Sequence, residues 1–168
     1  MNKINRIVTD IEIVNTKIIT KVKLANLPDP LDLIVDCGAT MTTITPQLFK
    51  RLKLDIKEKA NVNILGINST EQSFSTLIPS FTIGGINLGE VRIAIGTMLP
   101  EFQDKIILGM NILGWFNFDI SISNKLLELR PRFGGNSHII NNGFKEKTPK
   151  IALALSELEL EKSNVFVK

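Results

Sequence analysis

Leu31-Asp32-Leu33-Ile34-Val35-Asp36-Cys37-Gly38-Ala39-Thr40 is the stretch that decides the fold: a short apolar strand runs without a break into a turn that opens on an aspartate. The strand delivers Asp36 close to the core. Gly38 has no Cβ, so a backbone N–H can approach the carboxylate closely, and Ala39 is small enough for another stretch of backbone to pass beside it. A single carboxylate in such a turn accepts hydrogen bonds but does little acid–base work alone. Two in contact cannot both ionise, so they hold one proton between them. One then serves as base toward a water while the other serves as acid toward a carbonyl.

Working outward, the chain offers few competing chemistries. Its 168 residues, 43% hydrophobic and 22% charged, suit one globular domain with a core of its own. One Cys and one His exclude a disulfide framework and any zinc site built on His/Cys clusters. His138 stands in a Gly/Asn/Lys-rich linker, so a Ser-His or Cys-His nucleophile pair would have to borrow its base from that linker. Cys37, with no base in sight, reads as a small structural residue. Gly84-Gly85 and Gly89 lack the Lys-Ser/Thr of a phosphate loop. The net charge of +3 is scattered, there is no Tyr, and no basic and aromatic residues interleave, so nucleic acid is not an expected partner. No apolar run is long enough to span a bilayer, and Met1 to Lys17 lack the apolar core of a signal peptide. A cytoplasmic protein with a reduced thiol, no metal and no cofactor is expected.

The pattern around the decisive stretch is mostly β. Ile11, Ile13 and Lys17 to Leu24 are rich in β-branched residues and stop at the turn Asn26-Leu27-Pro28-Asp29-Pro30. Thr42 to Thr45 is short and β-prone, after which Thr45 as cap and Pro46 at the first position predict a brief helix to Leu52. Asn61 to Leu65, Phe74 to Ile83, Val91 to Ile95 and Lys105 to Leu108 read as further strands, with Gly66 to Thr70 a turn between two extended arms. Met110 to Phe116 suits a helical turn or two. Phe116, Phe118, Ile120 and Ile122 alternate cleanly, and Leu126 to Leu129 completes a hairpin. The folded domain is expected over 9–132, a linker over 133–149 and a separately tethered tail over 150–168. Leu153, Leu155, Leu158 and Leu160 in that tail repeat almost as well for a strand as for a helix.

These residues resemble a family. Asp36-Cys37-Gly38-Ala39-Thr40 is similar to the Asp-Thr/Ser-Gly-Ala turn of the retropepsin-like aspartic proteases. Ile107-Leu108-Gly109, followed by Met110-Asn111-Ile112-Leu113, is similar to the apolar-apolar-Gly element before that family's helix, and it stands at a half-pepsin separation from Asp36. Gly66, Ile67, Asn68, Ser69 and Thr70 lie between the two, where the family carries its flap. The resemblance spans roughly residues 15–131. It implies an all-β, closed, barrel-like domain with one short helix, half of a pepsin-type bilobal fold. It also implies a homodimer in which two copies of Asp36 meet at a two-fold axis, so one motif per chain suffices. The implied activity is endopeptidase hydrolysis of peptide bonds by water, with Asp36 catalytic, Gly38 supporting it, and Leu108 and Gly109 on the floor of the substrate site.

The chain departs from the family's pattern in three places. Cys37 replaces a Thr or Ser whose hydroxyl bonds across the dimer, and a thiol is a weaker donor. Thr40 and Met110 stand where some viral members pair an Asp with an Arg; both charges are absent together, so neither is left buried alone. Thr40 itself reads equally as cleft wall or as a turn hydroxyl. The stretch after Phe133 continues past the point where compact viral members end, and either contributes to dimerisation or covers the cleft. A rival to the enzyme reading is a catalytically inactive dimerisation or peptide-binding module on the same fold, for which Cys37 is the motive.

Overall fold

A computed structural model describes residues 6–24, 27–53, 59–65 and 70–132. The expected linker 133–149 and tail 150–168, and Gly66, Ile67, Asn68 and Ser69 of the expected flap, lie outside the described residues.

The chain begins with β1 (Ile7–Asp10), β2 (Glu12–Val14) and β3 (Lys17–Leu24), then β4 (Leu31–Val35) and β5 (Thr43–Ile44). Helix α1 (Pro46–Leu52) separates these from β6 (Ala60–Leu65), β7 (Thr70–Ile78), β8 (Phe81–Ile83), β9 (Ile86–Asn87) and β10 (Val91–Ile95). A 3-10 turn at Pro100–Phe102 leads to β11 (Ile106–Leu108), helix α2 (Met110–Leu113), β12 (Phe116–Ser121) and β13 (Leu126–Pro131).

Local chemistry explains several boundaries. Asn15 and Thr16 join β2 to β3 with positive φ at both positions, the two-residue turn whose twist matches a hairpin. Thr45 Oγ1 accepts the Leu48 N–H at 3.2 Å, Pro46 starts α1 where its missing donor costs nothing, and Lys53 ends the helix in the left-handed region. Pro79 and Ser80 break the expected run from Phe74 to Ile83 into β7 and β8.

The large sheet follows the order β6-β7-β10-β5-β11-β4-β3-β8-β9, with β2 added to β3, while β1-β13-β12 form a smaller sheet. Most pairs are antiparallel. The exceptions are β10 with β5 and β11 with β4, so β11 inserts between β4 and β5. The architecture is the expected mostly β one, with one correction. The path is open, ending at β6 and β9, where a closed barrel-like sheet was expected. Leu48 and Leu52 of α1 and Leu127 and Leu129 of the smaller sheet join the strands of the large sheet in one buried core. The helical turn expected after Gly109 is α2, which starts where the Ala39 and Thr40 carbonyls take the N–H groups of Met110 and Asn111.

Leu33 and Ile34 are neighbours on β4, and both are buried although they point to opposite faces. The strand that carries Asp36 is therefore gripped on both sides. Leu33, Ile44, Ile93, Ile106, Leu108 and Leu113, from β4, β5, β10, β11 and α2, belong to the buried core. Each such side chain contributes roughly 1.5–3 kcal/mol on burial.

Candidate active site

β4 ends at Val35, and the next residue is tied down before its side chain is considered. The Asp36 N–H donates to the Leu108 carbonyl at 3.1 Å, which extends the parallel pairing of β4 with β11 by one step. The Asp36 carbonyl accepts the Ala39 N–H at 3.2 Å and closes a turn through Cys37 and Gly38. Inside it the Gly38 N–H donates to Asp36 Oδ1 at 2.9 Å, an Asx-type bond that aims the carboxylate. A Cβ on Gly38 would stand 3.2 Å from that same oxygen. Asp36, Cys37, Gly38 and Thr40 are exposed and Ala39 is half-buried, so the carboxylate is presented rather than enclosed.

The second motif braces the turn from behind. Met110 N–H donates to the Ala39 carbonyl at 2.8 Å and Asn111 N–H to the Thr40 carbonyl at 3.0 Å. Gly109 is required by close approach: a Cβ there would lie 2.5 Å from the carbonyl carbon of Met41 and 2.7 Å from its oxygen. Leu108 is fully buried and meets the Asp36 turn through its carbonyl, while the Gly109 backbone lies against Met41 and Thr42 just beyond that turn.

Two residues that the sequence reading did not single out complete this knot. Thr42 is fully buried, and its N–H and hydroxyl both donate to Asn111 Oδ1, at 2.6 and 2.8 Å. Its Oγ1 also accepts the Gly109 N–H at 3.0 Å, while Asn111 Nδ2 donates to the Arg92 carbonyl at 2.8 Å. Asn111, a polar residue between Met110 and Ile112, was the one trace of this in the sequence, since Thr42 stands in a run with Thr40 and Thr43.

Of the remaining site expectations, Cys37 carries a free, exposed thiol at the tip of the turn. Thr70 begins β7, opposite Leu65 on β6. Further along β4, Asp32 Oδ2 accepts from Lys105 at 2.8 Å and Oδ1 from Lys21 on the neighbouring strand. The Lys105 hydrogen bond, seconded by Lys21, holds the Asp32 carboxyl below its ordinary range, and the bond to Asp32 raises Lys21 above its own. Among the described residues no three His, Cys, Asp or Glu side chains gather as metal ligands, and no helix is long and apolar enough to cross a membrane. One exposed carboxylate, fixed by a backbone donor on a braced turn, can exchange a proton with a water. Polarising a carbonyl at the same time needs a second acid.

Comparison with known proteins agrees with this arrangement. The family model described as "gag-polyprotein putative aspartyl protease" matches residues 20–114, more than half of the chain, and the match includes both motifs. A crystal structure of a retropepsin-like aspartic protease from Rickettsia conorii shares the fold at 20% identity and a TM-score of 0.55, covering 75% of this chain and 90% of that one. The EIAV protease complexed with the inhibitor HBY-793 is 25% identical with a TM-score of 0.48, over 60% of this chain and 88% of that one. No curated protein matches. The strand-borne Asp36 turn and the Gly109 brace thus sit in a retropepsin-like fold, and the chain belongs to the gag-polyprotein aspartyl protease family.

Proposed function

We propose that the protein is an aspartic endopeptidase that works as a homodimer, with Asp36 from each copy forming the catalytic pair. The observation that carries this reading is the Asp36 carboxylate, exposed at a strand end and aimed by the Gly38 N–H, on a turn whose backbone is held by Leu108, Met110 and Asn111. A two-fold axis beside that turn brings two such carboxylates into contact, where they share one proton. The ionised member takes a proton from water as the water oxygen bonds to the peptide carbonyl carbon. The protonated member gives its proton to the carbonyl oxygen. As the gem-diol collapses, the carboxyl that took the water's proton gives it to the nitrogen, the C–N bond breaks, and a gem-diol proton returns to the other carboxylate, so amine and acid leave and the pair again holds one proton. No covalent intermediate or metal enters these steps. Leu108 and Gly109 support the floor, and the stretch Gly66 to Thr70, which follows β6 in sequence, serves as the flap over an extended substrate.

The experiment is cleavage of a diverse peptide library between about pH 4 and 7, a range whose acid end favours a pair that holds one proton. Wild type is compared with Asp36→Asn. Asp36→Asn keeps the size and the acceptor for the Gly38 N–H, so it is expected to fold normally and to cut nothing. Retained turnover by this variant would remove the assignment. A second reading, a peptide-binding module without turnover, draws support from Cys37, whose thiol is a poor substitute for a hydroxyl that bonds across a dimer. Peptide binding by wild type with no cleavage at any pH in that range would favour it.

A further inference from the structure

Lys17 is the first residue of β3, and it lies at the same end of the β3–β4 ladder as Asp36. The register pairs Ile19 with Ile34 and Lys21 with Asp32. Residues paired in this way share a face, so by alternation Lys17, Ile19 and Lys21 lie on the face of Asp32 and Ile34, and Asp36 is the next position of that face. Ile107, opposite Ile34 on β11, widens it. Ile19 and Ile34 are buried and Ile107 half-buried, which gives this face an apolar floor beside the Asp36 turn.

The segment between β10 and β11 folds over the same face. At one end Lys105 holds Asp32; at the other, the Phe102 ring sits under the Lys17 ammonium, with Nζ 4.9 Å from the ring centre. The three lysines differ in their company. Lys21 and Lys105 share the Asp32 carboxylate, and Glu12 also acts on Lys21. Lys17 is half-buried, oriented by an aromatic face, and has no carboxylate partner among the described residues. An aromatic face attracts an ammonium but does not neutralise it, so the group retains its capacity for an anion.

Building on the endopeptidase reading, we propose that Lys17, steered by Phe102, is a specificity-determining residue that receives an Asp or Glu side chain of the peptide substrate at one fixed position near the scissile bond. Buried Ile19 and Ile34 hold the apolar floor in place, and half-buried Ile107 is the part of it that a flanking substrate side chain touches. Peptides with a basic residue at that position are disfavoured by the same ammonium.

The test is a peptide panel in which each position in turn carries Asp or Glu, Asn or Gln, or Lys. It is read two ways: kcat/KM with the wild-type chain, and binding to Asp36→Asn by fluorescence anisotropy. Lys17→Met keeps the apolar stem, Lys17→Glu reverses the charge, Lys17→Arg preserves it, and melting curves confirm that each is folded. At one position the acidic peptide is expected to exceed the lysine peptide by about tenfold in wild type. Lys17→Arg keeps that preference, Lys17→Met levels it and Lys17→Glu inverts it. Cleavage with no charge preference, or with a preference that Lys17→Glu leaves unchanged, overturns the proposal and leaves the endopeptidase reading standing. Acid-selective binding that follows the Lys17 variants, without any cleavage by wild type, upholds the role of Lys17 and overturns hydrolysis. Failure of every peptide both to bind and to be cut overturns both.

Discussion

The side chain of Asn111 takes two hydrogen bonds from Thr42 and gives one to the Arg92 carbonyl, so a single amide ties β10, the start of α2 and the stretch leading into β5. None of these bonds touches Asp36, yet the same few residues hold the turn through the bonds from Met110 and Asn111 to Ala39 and Thr40. Removing the amide leaves the N–H and one hydroxyl contact of fully buried Thr42 unmatched, which costs roughly 1–3 kcal/mol per unsatisfied group. Asn111→Ala is therefore expected to lower the unfolding free energy by about 2–4 kcal/mol once local relaxation recovers part of that loss. Urea denaturation measures it. Kinetically the variant should lose turnover more than substrate affinity, because the turn that aims Asp36 is loosened while the apolar floor remains. An unfolding midpoint within experimental error of wild type would mean that the knot is dispensable.

At the scale of elements, what was legible in the sequence was local, and what was missed was not. Lys17–Leu24, Leu31–Val35 and Val91–Ile95 announce themselves by runs of β-branched and aliphatic residues, and α1 by Thr45 and Pro46. β1 gave no such notice: it is four residues long and is paired to β13 at the other end of the described chain. The open path of the large sheet and the Thr42–Asn111 contact, 69 residues apart in sequence, depend on pairings that no local period encodes. The Asp32 cluster is of the same kind, since Lys21 sits across from it in register and Lys105 reaches it from before β11. Its contribution has a defined pH window. Asp32 is held below its ordinary value, so its stabilisation is present above about pH 4 and is lost as pH falls through the lowered value. Lys21 is raised, so its share persists below about pH 10 and is lost as pH rises through the raised value. Asp32 retains access to water, which limits each pair to roughly 0.2–1 kcal/mol. Asp32→Asn should be less stable than wild type by about that amount at neutral pH, with the gap closing in acid, once the pH has fallen through the lowered Asp32 value. Parallel urea titrations at the two pH values provide the check, and an equal gap at both would assign the loss to packing instead of charge.

At the scale of the whole molecule, the proposed chemistry is incomplete within one chain. Each copy supplies one Asp36, and no other aspartate or glutamate stands on the described Asp36–Thr40 turn or in its Leu108–Asn111 brace. If the second acid comes from a second copy, then one defective copy should disable a pair even when its neighbour is intact. Wild type and Asp36→Asn mixed in equal amounts, at a fixed total chain concentration and after time for exchange, would distribute at random. About one quarter of the dimers would then carry two aspartates, so activity should fall to about one quarter of that of pure wild type. A chain that worked alone would retain about one half under the same conditions. The two values are far enough apart to decide the matter in a single assay, provided total chain concentration is well above the dimer dissociation constant. Dilution supplies an independent reading of the same assembly: below that constant, activity per chain should decline in proportion to concentration, because two chains must meet before one site exists.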